Sequence, residues 1–282
     1  MTDAPKNIID NYEQVLPGVF AGVPIMEYHS EAGISKSNIC EIAKSPAHYK
    51  ISLEAPQKET DSLLKGSGLH DSCLLPDFYR KHYKVAPTSD KRTKKYIEFA
   101  KKYPNHSILT PKIANDIREM KESIFNNPTM KDVLNSDTTL REVSIWAKDP
   151  ITGMLLKVRP DMIYSGVIFD IKTTIAPHKE AFVYSCRDWH YHVQASYYMY
   201  VASLIGMKID NFIFLVVGNH PPYLTAHYDL PSTKEEIKPG FPDISLEEGE
   251  RFYRSALNKY KDYLESEDDW DGLEYGRELV TL

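Results

Sequence analysis

Residues 159–174 read "RPDMIYSGVIFDIKTT". Asp161 and Asp170 stand nine residues apart among β-forming residues, and Lys172 follows two positions after the second aspartate. Ser165 and Gly166 form a tight turn, so two antiparallel strands can bring both carboxylates together. Side chains alternate along a strand, which puts Asp170 and Lys172 on one face and Phe169 and Ile171 in apolar packing on the other. Pro160 removes a ladder donor and marks a bulge or a strand end. Two carboxylates this close repel unless a shared proton or a cation relieves them. Oxygen ligands on a rigid sheet suit Mg2+ or Mn2+. A lysine beside them can hold or help deprotonate an attacking water and offset charge on a phosphoryl group. The same letters also make an ordinary salt-bridged strand surface, so their surroundings have to decide.

Those surroundings read as α+β, a central mixed sheet with flanking helices. From Leu140 onward "LREVSIWA", "MLLKVRPDMIY" and "VIFDIKTT" are three sequential strands, an antiparallel meander joined by turns. Before them, "SKSNICEIAKSPAHY" predicts a helix starting at Ser37 or Asn38 and stopped by Pro46. "KETDSLLKGSGLHDSCLL" predicts an amphipathic helix stopped by Pro76. Its Gly66 and Gly68 cost about 1 kcal/mol each relative to alanine unless something approaches that face closely. "SDKRTKKYIEFAKKY" predicts a basic helix capped at Ser89 or Asp90, and "TPKIANDIREMKESIF" a helix with Thr110 as N-cap and Pro111 in the first turn. After the meander, "CRDWHYHVQASYYMYVASLIG" predicts one long helix, and "NFIFLVVG" a buried strand. "YLTAHYDL" predicts a further strand, and a closing helix follows Ser245.

The 282 residues are 42% hydrophobic and 26% charged, enough apolar material for a core. No apolar run approaches the roughly 20 residues a membrane crossing needs. "MTDAPKNIIDNYEQ" lacks the basic start and apolar stretch of a signal peptide, so a cytoplasmic protein without membrane attachment is expected. Cys40, Cys73 and Cys186 are too few and too dispersed for a disulfide framework, a zinc ribbon or a four-cysteine cluster. There is no Gly-Lys-Ser/Thr phosphate loop and no His-Glu-x-x-His pair. The net charge of −6 is unevenly spread. Residues 80–102 hold nine basic residues against two acidic, whereas eleven acidic residues face five basic ones from Ser245 to the end. The basic stretch, with Arg80, Lys81, Lys84, Lys91, Arg92, Lys94 and Lys95, could track DNA phosphates or be a solvated helix face.

Taken together, "RPD" and "DIK" on consecutive strands resemble the signature of the PD-(D/E)xK nuclease superfamily, whose core is that of restriction endonucleases. His70 in "GSGLH" is similar to the extra metal-ligand histidine of its RecB-like, lambda-exonuclease-like branch. Gln194 and Tyr198 in "QASYY" match that branch's Q-x-x-x-Y helix motif, the four-residue spacing placing both on one face. Glu142 in "LREVSIWA" stands where the branch often has an acidic residue. "GISKSNICEIAKSPAHY" looks like the start of the RecE (exonuclease VIII) nuclease domain. The resemblance runs from about residue 30 to at least 200.

The resemblance implies a Mg2+-dependent exonuclease, with Mn2+ substituting, that degrades one strand of duplex DNA from its ends, 5′ to 3′ in RecE itself. It implies a homo-oligomeric ring of three or four subunits, a single-strand annealing protein as partner, and a role in phage-type recombination. Asp161, Asp170, His70 and the Ile171 carbonyl would hold metal, and Lys172 would orient or activate water. Glu142 would bind a second metal or merely cap a strand end. Gln194 and Tyr198 would lie near the scissile bond, and Ser35 and Lys36 would contact a terminal phosphate. Tyr184, Trp189 and His192 could stack on bases or pack internally. The chain then reads as one nuclease domain over 1–282. It would comprise a basic helical segment about 80–125, a catalytic sheet and helix about 140–230, and an acidic C-terminal helix and tail about 245–282. An endonuclease, a single-strand nuclease or a non-catalytic DNA-binding protein on the same scaffold are the alternatives.

Overall fold

A computed structural model describes residues 3–54 and 60–266. The acidic tail expected at the C-terminus lies outside the described residues from 267 onward.

The chain opens with α1 (Lys6–Asn11), the β1 (Glu13–Leu16) and β2 (Val19–Ala21) hairpin, and α2 (Ile25–Ser30), none of which the sequence periodicity had suggested. Next come α3 (Lys36–Lys44) and α4 (Pro46–Glu54), then α5 (Asp61–Leu74) and α6 (Pro76–His82). The prolines at 46 and 76 stop one helix and open the next, because a first-turn residue has no helical acceptor for its N–H. The N-cap of α3 is Ser35, not Ser37 or Asn38, and Asn38 closes the capping box three residues later. Strand β3 (Tyr83–Val85) pairs in parallel with β4 (Ser107–Leu109), and between them α7 (Lys94–Lys102) starts at Thr93. Asp90 does not cap it, since its carboxylate is spent on the Arg92 N–H and guanidinium. α8 (Pro111–Asn126), capped by Thr110 as expected, leads into α9 (Pro128–Asn135).

The expected meander is a bent ribbon shared by two sheets. Its strands are β5 (Leu140–Arg141), β6 (Ser144–Lys148), β7 (Leu155–Val158), β8 (Met162–Tyr164) and β9 (Val167–Thr174). β6 and β7 pair with each other and join β2 and β1 in an antiparallel sheet. β5, β8 and β9 join a second, mixed sheet with β10 (Asn211–Gly218), parallel to β9, and β11 (Thr225–Tyr228). Pairing stays in step across the bend: Arg141 faces Met162 and Ile145 faces Val158, with three residues between on each strand. Two features turn the ribbon. Pro160 cannot donate to a ladder, and Glu142 adopts a left-handed φ of 51°.

The mixed sheet is covered on both faces. Alternation along β10 sends Phe212, Phe214 and Val216 to the side of α10 (Lys179–Asp188), α11 (Tyr191–Leu204) and α12 (Leu246–Glu265). Leu215 and Val217, with Phe169 and Ile171 of β9, pack against α5, α8 and α9. The single long helix expected over 186–206 is two, because His190 takes a φ of 52°. The Trp189 carbonyl at that break accepts from Lys36 Nζ at 2.7 Å. On the outer sheet, buried Lys157 closes the end of α2, donating to the carbonyls of Tyr28, His29 and Glu31.

Two glycines show how closely the helices seat. A Cβ at Gly249 of α12 would lie 2.4 Å from the His192 carbonyl oxygen of α11, which is backbone and cannot swing away. At Gly66 of α5 a Cβ would meet Thr173 Oγ1 at an ordinary 3.7 Å. Gly249→Ala is therefore expected to cost about 2–3 kcal/mol by overpacking. Gly66→Ala should hold or raise stability by up to about 1 kcal/mol through helix propensity. Thermal melting of the two variants beside the parent checks both signs.

Candidate metal centre

The bend in the ribbon collects carboxylates. Asp161, just past Pro160, accepts the Ile171 N–H on Oδ2 at 2.7 Å, so its side chain replaces a ladder partner where β8 begins. Met162 faces Phe169, and two more rungs would set Pro160 opposite Ile171. An N–H and C=O of one strand residue point to the same neighbour. Proline has no hydrogen for that carbonyl, which leaves the Ile171 oxygen without its ladder donor on the edge where Asp161 stands.

Asp170 lies on the face of β9 that α11 covers. Its Oδ1 accepts from Gln194 Nε2 at 2.5 Å. Its Oδ2 has the Lys172 ammonium 2.5 Å away, a buried ion pair. The expected shared face of Asp170 and Lys172 is present, and the lysine ammonium also sits 4.8 Å from the Tyr191 ring centroid.

From α5, His70 reaches between two carboxylates. Nε2 is 2.7 Å from Asp161 Oδ1, and Nδ1 is 3.2 Å from Glu142 Oε1. Glu142 Oε2 in turn receives Arg159 Nε at 2.6 Å. Burial alone would lower the His70 pKa, yet Asp161, then Glu142 and Asp170, raise it to about 10. Burial would raise Asp161, but the His70 charge and hydrogen bond, with Lys172, hold it below the usual carboxylate range. For Asp170, burial and the neighbouring Asp161 charge outweigh Lys172, and the carboxyl is pushed up to about 6. Burial opposes the charge on Lys172, but Asp170 and Asp161 raise it above the ordinary lysine value.

The other residues singled out in the sequence divide. Tyr198 is half-buried beside Phe212, its phenol driven up by burial, Tyr28 and the charges of Asp170 and Asp161. Lys36 borders the centre, lowered by burial and by nearby Lys172. The Ser35 hydroxyl is committed to its cap, donating to Asn38 Oδ1 at 2.8 Å. Trp189 is 65% exposed at the helix break, Tyr184 is exposed and His192 is buried. Arg80, Lys81, Lys91, Arg92, Lys94 and Lys95 are exposed and Lys84 is half-buried. Ion pairs join Arg80 to Asp77, Lys91 to Asp61, Arg92 to Asp90 and Lys94 to Glu98. Arg159 was missed as a site residue. Its position immediately before Pro160 and Asp161 was the available signal.

These donors fit a hard divalent cation. His70, Glu142 and Asp161 offer ligand atoms within 4.8 Å of one another, and the Asp170 carboxylate stands beside them on β9, paired with Lys172. Carboxylate and carbonyl oxygens suit Mg2+ or Mn2+, and the imidazole favours Mn2+ of the two.

The family of PDDEXK-like domains of unknown function (DUF3799) matches residues 35–247. The chain belongs to this family. The match spans α3 to the start of α12 and so includes every residue of the bend and of the Gln194 helix. No curated protein matches the chain. Among solved structures, an exonuclease candidate from Eubacterium rectale is similar over 82% of each chain, at 14% identity and a TM-score of 0.53. A phage-related exonuclease from Haemophilus somnus 129PT is 12% identical over 82% of this chain and 94% of its own, with a TM-score of 0.32. The first likeness is one of fold, a PDDEXK-like α+β core. No described helix is long and apolar enough to cross a membrane.

Cation binding should depend on pH with a definite sign. In the ion-free protein the raised His70 keeps a proton up to about 10, and Asp170 keeps one up to about 6. Both protons compete with a cation, so affinity rises with pH, by about tenfold per unit where one proton is displaced. Mn2+ titrations followed by electron paramagnetic resonance between about pH 6.5 and 8 check this slope. His70→Asn is expected to flatten it.

Proposed function

We propose that this chain is a divalent-metal-dependent DNA nuclease of RecE type that shortens duplexes from their ends, 5′ to 3′. The observation that carries the reading is the convergence of His70, Asp161, Asp170 and Lys172, with Gln194 on Asp170, from separate parts of the chain onto one buried bend. His70, Asp161, Asp170 and the Ile171 carbonyl would hold the cation. When bound, Mg2+ or Mn2+ supplies Lewis-acid polarisation of the scissile phosphate and acidifies the attacking water.

The chain's own groups do the positioning. Lys172 stays charged because the two aspartates raise it, so it orients water and offsets phosphate charge rather than accepting a proton. Gln194 fixes the Asp170 rotamer through Oδ1, and Oδ2 meets Lys172. Tyr198 closes the site on the α11 side, where its high pKa keeps the phenol neutral. Lys36 adds a cation beside Lys172, suited to a substrate phosphate. The exposed lysines and arginines over 80–95 would follow the duplex backbone, which gives position without sequence preference. On the same reading the protein works in the cytoplasm of a phage-infected or prophage-bearing cell. It would act as a ring of three or four copies and hand its single strand to an annealing protein.

Linear duplex DNA labelled at one 5′ end, with and without Mg2+, tests this beside closed circular DNA. The expected result is Mg2+-dependent release of label in short products and an untouched circle. Lys172→Ala should lower the rate at least about 100-fold, the scale of one lost charge-stabilising donor, and Asp170→Ala should abolish it. Cutting of the circle would move the assignment to an endonuclease. A folded protein inactive in both Mg2+ and Mn2+ would move it to non-catalytic DNA binding.

A further inference from the structure

Glu142 is one of three residues whose ligand atoms cluster at the bend, and the cluster alone suggests three cation ligands. The ring of His70 argues otherwise. Its two nitrogens leave opposite edges, Nδ1 toward Glu142 Oε1 at 3.2 Å and Nε2 toward Asp161 Oδ1 at 2.7 Å. A cation shared by His70 and Asp161 has to use Nε2. Nδ1 then carries the hydrogen and donates it to Glu142, the arrangement that fixes both tautomer and ring angle in metal-bound histidines.

We propose that Glu142 is a positioning residue that sets His70 rather than a cation ligand, and that Arg159 holds Glu142 to that role. This rests on the reading of His70 as a ligand in the proposed function. Both oxygens of Glu142 are occupied, Oε1 by His70 and Oε2 by Arg159 Nε at 2.6 Å. Arg159 is itself pinned, its Nη1 donating to the Val23 carbonyl at 2.6 Å and to Ser144 Oγ at 2.9 Å. The guanidinium lies 5.9 Å from the Tyr28 ring centroid. The chain from His70 through Glu142 and Arg159 therefore ends on the backbone just before α2. Glu142 also stands at a φ of 51°, a conformation that disfavours a non-glycine residue. Its N–H donates to the Asp161 carbonyl at 3.0 Å, which locks the backbone from which the carboxylate projects.

Two measurements on the full chain test this. Nitrogen-15 spectra of the imidazoles in saturating Mg2+ should show His70 with its hydrogen on Nδ1, and Glu142→Gln should shift that tautomer balance. Mn2+ titration by electron paramagnetic resonance should give Glu142→Gln and Arg159→Lys the parent's ion count per chain, with affinity about 10- to 100-fold weaker. A count lower by one in Glu142→Gln would make Glu142 a ligand and overturn the proposal. So would an unchanged affinity, or a hydrogen on Nε2 in the Mg2+-loaded parent. If a variant does not fold, the tautomer of the parent decides alone. His70→Ala separates the two levels: unaltered Mn2+ binding there would refute the ligand reading of His70 itself.

Discussion

Three carboxylates buried around one bend set the terms for the structure near them. Glu142, Asp161 and Asp170 are 7%, 8% and 2% exposed. Such a set cannot ionise in a low-dielectric site without matching positive charge. Each finds positive charge: Arg159 and His70 for Glu142, His70 for Asp161 and Lys172 for Asp170. The partners come from the ribbon's own bend, from α5 and from β9. Seating α5 and β9 together is thus an electrostatic requirement as well as a packing one.

The bend meets that requirement because it is a ribbon in register and not a break. Each strand contributes three residues between the flanking pairs, so Glu142 and Asp161 arrive on adjacent strands with a backbone hydrogen bond between them. Pro160 has a second effect at the same place. By withholding an N–H it ends the β8 ladder, and the Asp161 carboxylate takes over the Ile171 N–H that the ladder would have used. α11 reaches the sheet closely enough for Gln194 to touch Asp170, and α12 closes over α11 at Gly249. Second-layer packing of this kind keeps a polar centre in one geometry.

Much of this could be read from the residues. Alternation placed Asp170 with Lys172 and put Phe169 and Ile171 in the core, and period-2 runs located β9 and β10. The helix over 111–126 followed from Thr110 and Pro111. What local pattern could not show was the division of two strands between two sheets, since a bend in register leaves alternation almost intact. Left-handed residues at 142 and 190 carry side chains that usually avoid that region, so neither break announced itself. The N-terminal elements were hidden for a different reason. They are short and depend on long-range partners such as Trp146, which packs against Phe20 and Tyr28. Glu142 was legible as an acidic residue beside the site, but the guanidinium that occupies its second oxygen was not.

The sequence left one alternative open for Asp161, Asp170 and Lys172, an ordinary salt-bridged strand surface. Burial decides against it. Exposed pairs cost little to form and contribute roughly 0–1 kcal/mol. Buried ones carry a desolvation penalty that their attraction often fails to offset, and apolar residues of similar volume can be as stable or more so. Three such pairs stand side by side here, an arrangement that stability alone does not favour. The cluster is close to neutral only while His70 carries a proton, and the imidazole nitrogen that faces Asp161 at 2.7 Å is the one the proposed cation would use. On the proposed reading the protonated imidazole and the cation supply the same positive charge to Asp161, so the site would hold one or the other.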